Sequence, residues 1–203
     1  FISYTDVFTY NITTLESLLI YAMKTITYQS DYLGNGFEFA TINQPDDYEG
    51  KVVATVIRKQ CSMPSNKAVL YVHGFNDYFF QSDMAHRFNE KEYHFYAIDL
   101  RKYGRSTLPH HKSNNMRSLT EYFADLDEAL DIVRQEGNEQ VLLSGHSTGG
   151  LLVTLYASER VGNEKFDTIF CNSPFYDMNM PGYQKRLLVP LVALFGKYFP
   201  DVL

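Results

Sequence analysis

One stretch of the sequence decides the fold, and it reads Val141-Leu142-Leu143-Ser144-Gly145-His146-Ser147-Thr148-Gly149-Gly150-Leu151. An apolar, strand-like run precedes the pattern G-x-S-x-G, and a helix-forming segment follows it. A sharp strand-to-helix turn of this kind lifts its serine hydroxyl to the carboxyl edge of a sheet, and flanking glycines avoid clashes with neighbouring backbone. A chance match is the alternative, but the strand before and the helix after disfavour it. The stretch therefore predicts a nucleophile elbow, with Ser147 as the catalytic residue and Gly145 and Gly149 in supporting positions.

The segments around this turn alternate between apolar strands and helices. Strands are predicted over 68–72, 93–98, 141–143 and 168–171, and helices over 78–89 and 151–159 and from a capping box at 118–121 to Gly137. Continuous apolar runs are typical of parallel strands that are covered on both faces. The alternation predicts an α/β fold with a doubly wound, mostly parallel sheet.

The region before residue 60 has a different pattern. Two strand-like runs, 37–42 and 52–57, flank a turn-rich segment at 43–47 and predict an N-terminal antiparallel hairpin at the sheet edge. Apolar residues recur at helical spacing over 11–28, which predicts an amphipathic helix.

A second motif, His73-Gly74-Phe75-Asn76-Asp77, follows the strand that ends at Val72. An oxyanion hole in such a fold takes one backbone N–H from the residue after the nucleophile and one from the loop after an earlier strand. The sequence positions assign these donors to Thr148 and Phe75, and Gly74 would let the backbone approach a substrate.

A third motif, Asp99-Leu100-Arg101-Lys102-Tyr103-Gly104-Arg105-Ser106, completes a recognisable set. The segments VHGF at 72–75, DLRKYGRS at 99–106 and GHSTGG at 145–150 together resemble the monoacylglycerol lipase/lysophospholipase group of α/β-hydrolases, which is also described as serine aminopeptidase-like. The resemblance covers about 31–175. It implies that His73 and His146 shape the oxyanion loop and the elbow, and that the charged residues of 99–106 are structural. The sequence departs from the group's pattern at Lys102-Tyr103 and at Thr148.

None of these motifs supplies the general base that a serine nucleophile needs. Triads on this fold follow the chain order Ser, Asp or Glu, His. Three aspartates follow Ser147, but no histidine does. We therefore expect the catalytic Asp and His to come from a missing C-terminal part, which would leave the fold incomplete there, or from a second polypeptide. The six histidines before Ser147 fall on motifs, a helix, a strand edge and a polar loop, and they predict no metal site.

The domain organisation follows from these segments. We predict an N-terminal helical extension over 1–30, an α/β-hydrolase core over 31–175 and the start of a cap or lid over 176–203. The apolar run 187–195 is expected to form a cap helix broken by Pro190, with a core helix as the alternative.

Composition restricts the class of partner. The 203 residues have a formal net charge of -6 and no basic stripe, which argues against a nucleic-acid partner. Two cysteines cannot form a disulfide framework, and the short apolar run 18–23 predicts no signal peptide or transmembrane segment. We expect a cytoplasmic protein.

These residues favour ester hydrolysis through a serine acyl-enzyme that uses no cofactor. The resemblance implies a monoacyl lipid substrate, either a lysophospholipid or a monoglyceride. A peptidase or small-molecule esterase on the same fold is an alternative, and so is a non-catalytic binding protein that uses the pocket as a receptor.

Overall fold

The computed structural model describes residues 26–160, 162 and 165–199. Within them lies one seven-stranded sheet in the order β1-β2-β3-β5-β4-β6-β7. Its strands are β1 (Gln29–Ser30), β2 (Glu38–Asp47), β3 (Gly50–Lys59), β4 (Lys67–Val72), β5 (His94–Asp99), β6 (Gln140–His146) and β7 (Thr168–Asn172). Strands β4 to β7 are mutually parallel, and β1 to β3 add antiparallel strands along β5. The predicted hairpin and parallel sheet are both confirmed.

The described residues form four helices, α1 (Ser82–Asn89), α2 (Phe123–Gln135), α3 (Thr148–Glu159) and α4 (Gly182–Tyr198), with short 3-10 turns at Gly104–Ser106 and Leu119–Tyr122. Helices α1 to α3 cover the faces of the sheet, whereas α4 has no buried residue. On β4, Val69 and Tyr71 join a core cluster with α1, whereas Leu70 and Val72 join the cluster that holds α2 and α3. Because successive side chains of a strand point to opposite faces, α1 lies on one face and α2 and α3 lie on the other. This is the doubly wound arrangement that the sequence predicts.

Local signals for the ends of α2 are confirmed. Ser118 and Glu121 form the predicted capping box, although it opens a 3-10 turn that leads into α2 rather than α2 itself. Gly137 follows the helix with a φ of +87°, the left-handed conformation that ends many helices.

The predicted hairpin turn at 43–47 is wrong. Strand β2 continues to Asp47, and the turn consists of Tyr48 and Glu49. The register shifts between Gln44 and Asp47, and Pro45 lies within this irregularity. A proline has no N–H for the ladder, but a bulge tolerates it, so the strand does not have to end there.

Two helix predictions also differ from the structure. Helix α1 begins at Ser82 rather than Tyr78 because the side chain of Asp99 accepts a hydrogen bond from the Phe79 N–H, at 2.8 Å, and holds that segment as a loop. Helix α4 continues through Pro190, so the predicted break is wrong. A proline removes one N–H bond from the helix interior and clashes with the preceding turn, which can kink a helix without ending it.

Residues 11–25 of the predicted N-terminal helix lie outside the described residues, and residues 26–28 carry no helix. The described part of the chain contains no helix that is long and apolar enough to cross a membrane. The division into extension, core and cap stays a prediction.

Buried ion pairs fix the loop that follows β5. The Arg101 guanidinium donates to both carboxylate oxygens of Asp125 on α2, with the shortest N–O distance at 2.7 Å. The Asp125 side chain is 0% exposed. The Lys102 ammonium, also buried, lies 2.6 Å from carboxylate oxygens of Asp47 and Glu49 at the hairpin tip. The loop is thereby attached to α2 on one side and to the hairpin on the other.

We expect Asp125→Ala to lower the free energy of unfolding by about 3–5 kcal/mol, because the Arg101 guanidinium would be left buried without its counterion. Glu90→Ala is the matched control: it removes the carboxylate of the solvent-exposed Arg87–Glu90 pair and should cost less than about 1 kcal/mol. Urea unfolding of the two variants and the parent measures the difference. Equal destabilisation would contradict a structural role for the buried pair.

Candidate active site

Ser147 occupies a strained turn between β6 and α3. Its φ of 54° and ψ of -120° lie outside the regions that residues other than glycine commonly adopt. The Ser147 N–H donates to the Asn172 carbonyl at 3.1 Å, and the Ser147 carbonyl accepts the Phe175 N–H at 2.9 Å and the Gly150 N–H at 3.0 Å. Backbone of β7, of the loop after it and of α3 therefore fixes the turn that the G-x-S-x-G pattern predicts.

The flanking glycines are required by close backbone approach. A Cβ on Gly145 would lie 2.6 Å from the carbonyl carbon of Gly149, and one on Gly149 would lie 2.5 Å from the Val72 carbonyl oxygen. A Cβ on Gly74 would be 3.1 Å from the Cβ of Ser147. Because these three residues are glycines, the loop after β4 can lie directly against the elbow.

The two predicted oxyanion donors line one small cavity. Phe75 and Thr148 both border a pocket of about 40 Å³, together with His73, Gly74 and Gly149. Its remaining walls are mainly apolar or aromatic: Leu100, Tyr103, Met116, Leu119, Tyr122 and Leu152. Thr148 begins α3, where the first N–H groups lack intrahelical acceptors. Within the described part of the chain, neither the Phe75 nor the Thr148 N–H makes a hydrogen bond. Both donors are available to a ligand.

His73 is a buried structural residue. The Leu100 N–H donates to its Nε2 at 3.1 Å, and its Nδ1 lies 2.8 Å from the Gly74 carbonyl. Nε2 acts as an acceptor, so the proton must be on Nδ1, and burial lowers the pKa of the ring so that it stays neutral. The imidazole therefore holds the first residues of the loop after β4 against the loop that follows β5.

No histidine of residues 26–160 and 165–199 hydrogen-bonds to the Ser147 hydroxyl. His94 contacts Cys61 and Ser65, whereas His110 and His111 both lie against the Lys51 carbonyl. His86 lies on α1 with its ring 6.0 Å from that of Phe37. His146 directly precedes Ser147, and its Nδ1 would be 3.6 Å from a Cβ added at Gly74, so its ring lies near the loop after β4. The described residues hold no cluster of three or more potential metal ligands.

A buried charge cluster anchors the far end of the loop after β4, residues 73–81, and the sequence analysis did not identify it. The Asp99 carboxylate accepts the Phe79 N–H, and the Arg105 guanidinium donates to the Phe79 carbonyl at 2.9 Å. Arg105 also donates to Asp99 at 2.9 Å and to Asp31 at 2.7 Å. The backbone N–H and the backbone carbonyl of Phe79 are thus both held by buried side chains. The acidic and basic residues of 99–106 were the available signal, but their partner Asp31 is distant in sequence.

A larger cleft lies outside Phe75. Its volume is about 820 Å³, and it separates the loop 112–117 from α4. Phe75 and Met116 border both this cleft and the small pocket, so the two spaces adjoin.

We expect Gly149→Ala to destabilise the protein by about 1–3 kcal/mol, because the new methyl group would overlap backbone atoms of Val72 and His73. Gly182→Ala is the matched control, since a Cβ there meets nothing within 4 Å. In a helix this substitution is ordinarily stabilising by up to about 1 kcal/mol. Urea unfolding distinguishes the two positions. A neutral Gly149→Ala would mean that the elbow does not need this close approach.

Comparison with known proteins places this site in a family. Residues 63–203, more than half of the chain, match the family described as serine aminopeptidase, S33. Epoxide hydrolase 4 of Mus musculus is 33% identical over 89 residues, which are 44% of this chain and 23% of that protein. The Homo sapiens protein of the same name is 32% identical over 89 residues, with the same shares. The chain thus spans about a quarter of the length of these curated relatives.

Solved structures agree on the fold. A thermostable carboxyl esterase from Bacillus coagulans aligns with a TM-score of 0.63 at 18% identity, over 79% of this chain and 51% of that one. A monoacylglycerol lipase from Paleococcus ferrophilus gives 0.57 at 24% identity, over 72% and 53%. A soluble variant of monoglyceride lipase from Saccharomyces cerevisiae gives 0.57 at 19% identity, over 89% and 56%. These structures show an α/β-hydrolase fold, and the family match over residues 63–203 shows that the chain belongs to the serine aminopeptidase, S33, family.

Proposed function

We propose that the complete protein hydrolyses carboxylic esters of monoacyl lipids, either lysophospholipids or monoglycerides, through an acyl-enzyme on Ser147. The observation that carries the proposal is the strained elbow, which brings Ser147 against Gly74 and leaves two unbonded N–H groups, those of Phe75 and Thr148, at one small pocket. A nucleophile beside preorganised donors is the arrangement that acyl transfer requires.

The reaction begins when the Ser147 Oγ attacks the ester carbonyl carbon and gives its proton to a general base. The N–H groups of Phe75 and Thr148 stabilise the oxyanion that forms on the carbonyl oxygen. The C–O bond to the alcohol then breaks, and the alcohol leaves with the proton from the base. Water attacks the resulting acyl ester with help from the same base, which regenerates the serine hydroxyl and releases the carboxylic acid.

The general base and its orienting carboxylate come from outside residues 1–203 or from another polypeptide. All six histidines lie in the described part of the chain, and none of them bonds to Ser147 there. A serine hydroxyl is a weak nucleophile at neutral pH without such a base.

Apolar surface near the site supports a lipid substrate over a peptide. Helix α4 borders the cleft beside Phe75 and exposes a large apolar surface, for example Leu187, Leu191 and Leu194, each more than half exposed. We propose that residues 176–203 begin a cap over an acyl chain, because burial of each methylene contributes about 0.8 kcal/mol.

We expect Ser147→Ala to lower kcat of the complete protein for a decanoyl ester at least about a thousandfold and to abolish labelling by a fluorophosphonate probe, because the nucleophile is removed. Ser158→Ala is the matched control on α3, where the hydroxyl only bonds to the Leu155 carbonyl. Decanoyl esters should be cleaved with higher kcat/KM than acetyl esters or aminoacyl anilides.

Labelling that survives Ser147→Ala would refute the nucleophile. Faster turnover of aminoacyl anilides would favour the peptidase alternative, and faster turnover of acetyl esters would favour a small-molecule esterase. A complete protein that binds monoacyl lipids without cleaving them would favour the receptor alternative.

We expect a polypeptide limited to residues 1–203 to hydrolyse esters no faster than its own Ser147→Ala variant, because its histidines are placed elsewhere. Initial rates on a decanoyl ester, measured for both forms after circular dichroism confirms that they are folded, test this. Turnover at ordinary enzymatic rates, about 1 per second or more, would mean that a histidine of this segment reaches Ser147.

A further inference from the structure

Two tyrosines line the small pocket beside Phe75 and Thr148. They are Tyr103 and Tyr122, and only 4% and 3% of their surfaces are exposed. Their rings meet edge to face, with the ring centroids 6.2 Å apart. Tyr103 lies where the sequence departs from the pattern of the resembling group, so the resemblance does not account for its hydroxyl. The mainly apolar walls of the pocket thus include a buried pair of polar groups.

At least one of these two hydroxyl protons has no acceptor within the described part of the protein. The Tyr122 hydroxyl is buried there without a hydrogen-bond partner, and the polar group that acts on it most strongly is the Tyr103 hydroxyl. A hydrogen bond between the two tyrosines would use one O–H and leave the other unused. Because a buried donor without an acceptor is unfavourable, an acceptor that enters the pocket gains a hydrogen bond that the fold itself does not supply.

Both tyrosines are donors rather than anions. Burial raises the pKa of the Tyr103 and Tyr122 hydroxyls, which keeps them protonated at neutral pH. Apolar side chains such as Leu100 and Leu152 form the other walls, and the described lining residues include no charged side chain. An unpaired charge is costly in such surroundings, so the pocket favours a neutral acceptor, such as a carbonyl oxygen.

The size and position of the pocket restrict which part of a substrate reaches it. Its volume is about 40 Å³, and a group the size of one water needs roughly 10–15 Å³, so it accepts a carbon–oxygen group but not an alkyl chain. Phe75 and Met116 border both this pocket and the cleft beside α4. An ester with its carbonyl oxygen at the Phe75 and Thr148 N–H groups can therefore extend its acyl chain into the cleft, while its first acyl carbons lie beside the tyrosines.

We infer that Tyr103 and Tyr122 select esters whose acyl chain carries a neutral oxygen acceptor at its second or third carbon. The ketone oxygen of a 3-oxoacyl group is such an acceptor, and it takes the O–H that has no partner in the fold. The inference rests on the proposed ester hydrolysis and adds a specificity for the acyl chain. It makes the two tyrosines specificity-determining residues.

Esters of decanoic acid and 3-oxodecanoic acid with the same alcohol form a matched pair of substrates. We measure kcat/KM for both with the complete protein and with the double variant Tyr103→Phe/Tyr122→Phe. The ratio of the 3-oxo ester to the plain ester should fall about twofold to twelvefold in the double variant, which is the effect of losing one neutral hydrogen bond. The intrinsic reactivity of the 3-oxo ester cancels, because the same ratio is compared between two proteins.

Tyr32→Phe is the matched control. Tyr32 is 67% exposed and does not line the pocket, so its replacement should leave the ratio at the parental value. A parental ratio in the double variant, while hydrolysis still requires Ser147, would overturn the inference and leave the proposed function standing. That result is expected if the pocket holds only water.

Urea unfolding of the double variant gives a second reading. Replacing both hydroxyls by apolar groups of the same shape should not lower the urea midpoint, because the fold does not use both of them. A clear fall of the midpoint relative to Tyr32→Phe would show that the hydroxyls are bonded within the fold, and it would overturn the inference.

The absence of any Ser147-dependent hydrolysis would refute the proposed function instead. Calorimetry on the Ser147→Ala protein then decides the inference by itself, because this variant binds esters without cleaving them. Tighter binding of the 3-oxo ester than of the plain ester, with the difference lost on adding Tyr103→Phe/Tyr122→Phe, would support the pocket. A difference that is unchanged by the two substitutions would refute it.

Discussion

The backbone of Ser147 is the constraint on which the rest of the site depends. Its left-handed conformation costs on the order of 1–3 kcal/mol, and it persists because the surroundings leave no alternative. Hydrogen bonds from the Ser147 N–H and carbonyl reach the end of β7 and the loop that follows, and each contributes about 0.5–1.5 kcal/mol. Gly149 packs against the end of β4 with no room for a methyl group. The turn is therefore held by the two strands on either side of β6, which makes the position of the hydroxyl a property of the whole sheet.

The far end of the loop after β4 is fixed by buried charge as well as by the apolar packing of the Phe79 side chain. Isolated buried charges are costly, and burial becomes tolerable when each is paired and its remaining donors and acceptors are satisfied. Arg105 meets this condition by bonding to two carboxylates and a carbonyl, and Asp99 meets it by accepting the Phe79 N–H. An apolar substitute could fill the same volume but could not hold both polar groups of Phe79. The geometry of the loop thus explains why charged residues occupy a buried segment that the sequence analysis classified as structural.

The sequence predicts those parts of the structure that depend on local pattern. The elbow, the parallel strands and the capping box at Ser118 could be predicted because a short motif or an apolar run determines each of them. The start of α1 could not, since the side chain of Asp99, twenty residues away, removes Phe79 from the helix. The hairpin turn was misplaced because Pro45 and its polar neighbours indicate a turn, whereas the pairing with β3 tolerates them in a bulge. At the site, sequence motifs predict that Phe75 and Thr148 lie close together. Asp31 and the cleft residues come together only through the tertiary fold, so no local pattern predicts them.

The segment between β5 and α2 has a buried half and an exposed half. Its first half buries Arg101, Lys102 and Arg105 in pairs with acids from α2, the hairpin and the segment before β2. Its second half, residues 112–117, lines one wall of the cleft beside α4. Buried pairs are sensitive to geometry and only weakly to salt, so the buried half can set the position of the exposed half. Because Lys102 fixes the hairpin tip that in turn contacts Lys112 and Asn115, the position of this cleft wall depends on a cation that no substrate can reach.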